Sequence, residues 1–204
     1  MKFIVLLSAA LYLCPAIAQS KFRNGFLLTL QNDTIRGLIK YKSNSRKAED
    51  CWFSKSKSQP FIQYKPGEIR GFRFEKDQFY VTKSIGRSVD VFLEVLIGGT
   101  ITLYRFNKIY FIEKADTLLF ELSDDKDVIE MYGQRIKKKS KNFTRLLDVL
   151  MADCPNVQKE IPTVLLKEKQ LVDLVHRYNQ CIGSASATYR ARWPGKQKRQ
   201  LPES

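Results

Sequence analysis

The chain has 204 residues, of which 44% are hydrophobic and 12% aromatic, and it carries a formal net charge of +14. That apolar content excludes an intrinsically disordered chain and is enough for one sizeable core. Beyond the N-terminal apolar run there is no second stretch of about 20 apolar residues, so nothing else reads as a membrane-spanning helix.

The N-terminus opens with Lys2, an apolar run from Phe3 to Leu13 broken by Ser8, and the small-x-small sequence Ala16-Ile17-Ala18. This is the pattern of a cleavable secretory signal, so residues 1–18 are expected to be removed and Gln19 to start the mature chain. The bulky Leu13 before Cys14 does not suit lipidation. The expected address is the periplasm or the outer-membrane surface. A pI near 9.7 ordinarily suggests nucleic acid. Export argues against that, and an unknown envelope partner or an anionic surface takes its place.

Residues 19–135 read as β-rich. Phe26–Gln31 and Thr34–Tyr41 form a hairpin around Asn32-Asp33, a pair that tolerates positive φ. Phe26, Leu28 and Leu30 are expected on one face, as are Ile35, Ile39 and Tyr41. Gly37 within the second strand implies a bulge or a close backbone approach. Short strands follow at Cys51–Ser54 and Phe61–Tyr64, then the turn Lys65-Pro66-Gly67-Glu68. Ile69–Phe74 and Gln78–Lys83 make the next pair. The clearest hairpin is Val89–Ile97 and Thr100–Phe106 around Gly98-Gly99. Both of its faces are apolar, which predicts a central strand with Leu96 and Leu103 in the core. Tyr110–Glu113 and Thr117–Leu122 repeat the pattern.

The period then changes. Phe143, Leu146, Leu147, Leu150 and Met151 form a helical stripe, ended by Cys154-Pro155. Leu171, Leu174, Val175, Tyr178 and Ile182 form a second, with Gly183 suited to its C-cap. Residues 136–183 are therefore expected to be a helical hairpin that buries its stripes on the β-rich part. Residues 184–204 have no periodicity and are basic, which predicts a disordered tail. The fold class is α+β: a strand-rich barrel or roll followed by a C-terminal helical hairpin.

Three cysteines remain after signal cleavage. Cys154 and Cys181 flank the helical pair and are the expected disulfide, on condition that the helices are offset or that Pro155–Pro162 runs back along the second one. Cys51, among strand residues, is expected to be a buried, inert thiol. There is no CxxC, and His176 is the sole histidine, so no metal site or cofactor is expected. His176 lies off the apolar stripe and reads as an exposed polar residue. Nucleophile-elbow and P-loop patterns are absent, Gly98-Gly99 joins two strands and does not open a helix, and Asp124, Asp125 and Asp127 lack the remainder of a calcium loop. Arg135, Lys137, Lys138, Lys139 and Lys141 form the densest basic run, a candidate contact for an anionic surface or a solvated connector before the helix.

Phe26–Ile39, Tyr64-Lys65-Pro66-Gly67-Glu68-Ile69-Arg70-Gly71-Phe72 and Val91–Leu96 resemble segments of uncharacterised exported Bacteroidota-type proteins. Leu150–Pro155 and Tyr178–Cys181 are similar to their C-terminal helix pair. In those proteins the β-rich region often precedes an outer-membrane β-barrel, for which this chain has no room. The resemblance implies fold and address and transfers no functional residue. The expected role is a non-enzymatic exported binding or accessory module of the periplasm or outer-membrane surface, and the alternative is an exported enzyme with no recognisable catalytic motif.

Overall fold

The computed structural model describes residues 22–40, 49–75, 78–86, 89–115, 118–124, 126–131, 134–139 and 142–188. The expected signal at 1–18, Lys141 and residues 189–204 lie outside the described residues. The strands are β1 (Phe22–Leu28), β2 (Thr34–Lys40), β3 (Cys51–Ser54), β4 (Ile62–Tyr64), β5 (Gly71–Phe74), β6 (Phe79–Ile85), β7 (Val89–Gly98), β8 (Ile101–Phe106), β9 (Ile109–Lys114), β10 (Phe120–Leu122), β11 (Lys126–Met131) and β12 (Gln134–Lys139). The helices are α1 (Asn142–Leu150), α2 (Pro155–Gln158) and α3 (Glu168–Cys181), with a 3₁₀ turn at Ile161–Thr163 and a last short strand, β13 (Ala187–Thr188).

The main sheet runs β10-β9-β8-β7-β6-β5-β1-β2-β3-β4, with β13 added beside the end of β7, and its paired strands are antiparallel. The fold is α+β, strand-rich with a C-terminal helical layer, as its periodicities require. Strands β1, β2, β3 and β5 bury one face in a core that Tyr80 of β6 and Phe92 of β7 complete. Leu27, Ile39, Phe53, Phe72 and Phe74 share one core there, with Tyr64 of edge strand β4 packed against it. The link from β4 back to β5 folds through the expected turn, where the Glu68 amide donates to the Lys65 carbonyl at 3.1 Å and Gly67 has φ +91°. Strands β7 to β10 turn the same face toward the helices. Leu103 and Ile112 meet Leu147, Met151, Leu171 and Leu174 in a second core. Leu96 and Leu103 are both buried.

Three details sharpen the expected pattern, and at Gly37 close approach is the one of its two expected readings that the structure shows. In β1 the core residue is Leu27, while Phe26 and Leu28 are half-buried and Leu30 lies exposed in the turn. Three apolar residues in a row leave the face undecided, and pairing with Phe72 and Ile35 settles it. At Gly37 the pairing with Gly25 is unbroken, so there is no bulge there. A Cβ at Gly37 would stand 2.3 Å from the Ser54 carbonyl oxygen and 2.5 Å from the Phe53 ring, so close approach is the reason for glycine,. The bulge of this sheet lies in β7, between Val95 and Ile97.

The boundary at residues 135/136 also moves. Gln134–Lys139, expected at the start of the helical segment, is strand β12, paired with β11 in a separate two-stranded sheet with Ile129 opposite Ile136. With Ile136 its single apolar residue, Gln134–Lys139 shows no alternation that marks a strand, and the first helix starts only at Asn142.

The helical hairpin is formed by residues 154–167 folding back along α3. Three pairings mark its length: Cys154 with Cys181, Glu160 with Arg177 at 2.7 Å, and the Leu165 amide donating to Gln170 Oε1 at 2.6 Å. Val157, Ile161 and Val164 are the buried residues of the returning segment. A Schellman motif ends α3, the Gly183 amide donating to Gln180 O and the Ser184 amide to Asn179 O, with Gly183 at φ +72°,.

Candidate binding cavity

The opposite face of the sheet carries its own apolar cluster: Val91, Leu93, Val95, Tyr104 and Phe111, with Phe79 and Val81 packed against it. Residues of β1, β6, β7 and β8, together with the segment 185–187, surround a cavity of about 580 Å³ on this face. Its floor is apolar. Leu28, Phe79 and Val81 are half-buried there, leaving hydrocarbon surface turned toward the space. Val95 and Tyr104 complete the floor.

Two cations line the cavity, in different states. Lys83 Nζ donates to both oxygens of Glu113, at 2.8 and 2.7 Å, and Tyr104 Oη donates to the same carboxylate at 2.6 Å. The ammonium also stands over the Tyr104 ring, 5.7 Å from its centroid,. Lys83 is thereby neutralised in place. Arg70, between the β4–β5 turn and β5, is exposed, and its guanidinium donates to Asn32 Oδ1. Asn32 reaches it from the β1–β2 turn, where its φ of +73° fulfils the expectation that this turn tolerates the left-handed region,. A guanidinium has five donors, so Arg70 keeps most of them for a further acceptor. The described lining of the cavity contains no carboxylate, thiol or imidazole.

The C-terminal segment closes one side. Residues 184–188, expected to belong to a disordered tail, are ordered by specific bonds. Ser184 Oγ accepts from the Thr100 amide at 3.1 Å, and Ala187 and Thr188 pair with Gly98 and Ile97. His176 is half-buried, not exposed. Its Nδ1 lies 2.7 Å from the hydroxyl of Ser186, a residue of the cavity wall. Asn179 is wholly buried. Its Oδ1 accepts from the Ile101 amide at 2.9 Å and its Nδ2 donates to the Ile101 carbonyl at 3.0 Å. A Cβ on Gly99 would lie 2.4 Å from the Asn179 carboxamide, so this glycine of the expected hairpin turn is demanded by the helix above it.

Two further polar groups are structural. On the helix-facing side of the sheet, Glu94 accepts from Gln78 at 2.9 Å and from Arg105, which also bridges to Glu168 in the first turn of α3. Burial alone would depress the Arg105 pKa. Glu94, by charge and hydrogen bond, and then Glu168 outweigh it and raise it above the ordinary value. Lys114 Nζ donates to the Leu150 carbonyl at the end of α1 and to Asp153 at 2.9 Å, and Tyr178 Oη donates to Asp153 at 3.0 Å. For Lys114, burial works downward, but the bonds with Tyr178 and Asp153 carry its pKa above the usual lysine value. For Asp153, burial works upward, and the bonds from Lys114 and Tyr178 hold it below the usual carboxylate range.

Cys154 and Cys181 stand at disulfide distance, with Cα atoms 6.3 Å apart, and Cys51 is buried and outside that pair. The returning segment 155–167 is what brings the pair together. Arg135, Lys137, Lys138 and Lys139 all fall on β12, away from the cavity-bearing sheet in the pairing order, with Lys137 opposite Val128 and Lys139 opposite Lys126. Among the described residues there is no group of three or more His, Cys, Asp or Glu placed to hold a metal ion, and no helix is long and apolar enough to cross a membrane. Sequence reasoning missed Arg70, Lys83, Asn179 and Ser186. For Arg70 and Lys83 the sequence-level signal is indirect, a cation spaced among strand-type apolar residues; for Asn179 it is a polar residue beside Tyr178 of the apolar helix stripe; Ser186 carries none. Comparison with protein-family models, curated proteins and solved structures finds no match.

Proposed function

We propose that the chain is a non-enzymatic exported binding module of the periplasm or outer-membrane surface. The reading is supported by the character of the cavity, which joins an apolar floor of Leu28, Phe79 and Val81 to a basic rim at Arg70, with no carboxylate among its described lining residues. Binding sites of this size combine apolar walls with a few polar groups that orient the ligand. General acid–base catalysis would need a titratable acid or base within reach of the bound molecule. Glu113 is already held by Lys83 and Tyr104. The basic strand β12, with Arg135, Lys137, Lys138 and Lys139, supplies the contact to an anionic envelope surface, each cation adding about 1 kcal/mol near it,. Export follows from residues 1–18. Cell fractionation with N-terminal sequencing tests it: a mature chain starting at Gln19 in the envelope fraction is expected. A chain retaining Met1, or lipid on Cys14, overturns it. Capture of the native protein from solubilised envelopes tests the module itself.

One observation favours the alternative, an exported enzyme. The 2.7 Å contact between His176 Nδ1 and the Ser186 hydroxyl sits at the cavity wall, an arrangement that can activate a serine nucleophile,. Labelling by a fluorophosphonate that is lost in both Ser186→Ala and His176→Ala would establish that reading and displace the first.

A further inference from the structure

We infer that the cavity between β1, β6, β7 and β8 binds a free medium-chain carboxylate, its acyl chain along Leu28, Phe79, Val81 and Val95 and its head group on Arg70. This rests on the binding-module reading and supplies the ligand class for it. Three features converge. Phe79 and Val81 lie on β6, an interior strand of the sheet, yet both stay half-buried because the cavity leaves them uncovered. Uncovered apolar side chains on an interior strand favour a hydrocarbon chain in proportion to the surface it removes from water.

The charge in the lining is also unbalanced in one direction. Lys83 is matched by Glu113, while Arg70 has the neutral Asn32 oxygen as its side-chain partner. A guanidinium at the mouth of an apolar space, oriented by one neutral acceptor, offers a planar fork that fits a carboxylate with two parallel bonds. An ammonium head would meet repulsion, and a neutral head would leave that fork unused.

Size is the third feature. A volume of about 580 Å³ is that of a site for one drug-sized molecule,. It suits a single chain with a small head, not the two chains and large head group of a phospholipid. The polar residues Thr102, Ser186 and Asn32 border the space, so water and hydroxyls can complete the solvation of the bound head group,.

Isothermal titration of the full mature chain with decanoate, decanol and decyltrimethylammonium tests the proposal. Saturable binding of decanoate is expected, at least tenfold tighter than decanol, with the quaternary ammonium weakest. Arg70→Gln changes an exposed side chain and is expected to fold normally; it should bring decanoate down to the decanol affinity and leave decanol unchanged. Val81→Gln should weaken decanoate and decanol alike. Equal affinity for the three heads, decanoate affinity unchanged in Arg70→Gln, no saturable binding of any probe, or binding only to phosphatidylglycerol vesicles would overturn the assignment. These outcomes leave the module reading to its own test, because capture of an envelope partner does not depend on decanoate.

Discussion

Asn179 and Ile101 are joined by two hydrogen bonds, the carboxamide accepting from the Ile101 amide at 2.9 Å and donating to its carbonyl at 3.0 Å. A side chain on α3 thus answers both backbone groups of a strand residue, as a neighbouring strand would. Gly99 leaves the room for it. Replacing Asn179 by Ala strands two buried backbone groups, and about 2–4 kcal/mol should be lost. Gly99→Ala should destabilise through its clash with the carboxamide, and that penalty should shrink by about 1 kcal/mol or more in the Asn179→Ala background. Urea denaturation of the four proteins measures the coupling, and strict additivity would refute the contact.

Reducing the Cys154–Cys181 bond should cost stability without unfolding the β-rich part. The sequence separation is 27 residues. Loop-closure entropy at that length gives about 3.5 kcal/mol. A Cys154→Ser/Cys181→Ser variant should show this loss together with faster proteolysis in 155–167. Cys51, buried in the core with Leu27, Phe53 and Phe72, should resist alkylation until global unfolding. Peptide mapping under non-reducing conditions that finds Cys51 bridged to either partner would contradict both statements.

The Lys114–Asp153 pair should give stability a defined pH dependence. Asp153 is held below the ordinary carboxylate range by Lys114 and Tyr178 against the opposing effect of burial. Its contribution is therefore present above the unfolded-state value of about 3.9 and disappears as pH falls through the lower folded-state value. Lys114 is shifted upward, so its contribution is complete below about 10.4 and is lost as pH rises through the folded-state value,. Asp153→Asn should be less stable than the parent from pH 5 to 8, and the gap should close on strong acidification. A gap that does not change with pH would exclude the pair as its source.

Leu96→Asp and Leu103→Asp should each abolish soluble folding. Leu103 has no exposure and Leu96 is 2% exposed, both in the core shared with the helices. An unpaired carboxylate there costs several kcal/mol, a large share of a domain's total stability. A cooperative melt near the parent temperature in either variant would remove that residue from the core.

Much of this architecture was legible because alternation and turn chemistry are local. Cys51–Ser54 matched the residues of β3, the Val89–Phe106 hairpin appeared where both faces were apolar, and Gly183 marked the end of α3. Local pattern failed where several answers satisfied it. Phe26-Leu27-Leu28 is apolar on both faces, and cross-strand partners alone chose Leu27. At β12 a charge run hid the strand. The cavity was not legible at all. Leu28, the hairpin that carries Arg70 and Lys83, and Ser186 come from three distant stretches, and nothing in the spacing of one stretch says which others the sheet order places beside it.

The bond between Cys154 and Cys181 also sets how the molecule answers a pull. A load applied beyond Thr188 first meets the two-residue pairing of β13 with β7, then the C-terminal end of α3. Once the strand peels away, force passes from Cys181 directly to Cys154, whose Cα is 6.3 Å distant, and bypasses the intervening chain. The sequence separation of 27 residues between them would otherwise release about 90 Å of length,. In the oxidised protein that slack is withheld: tension passes through Cys154 toward α1 and the sheet, while α3, inside the closed loop, is spared it. Chemical reduction converts the same segment into a tether.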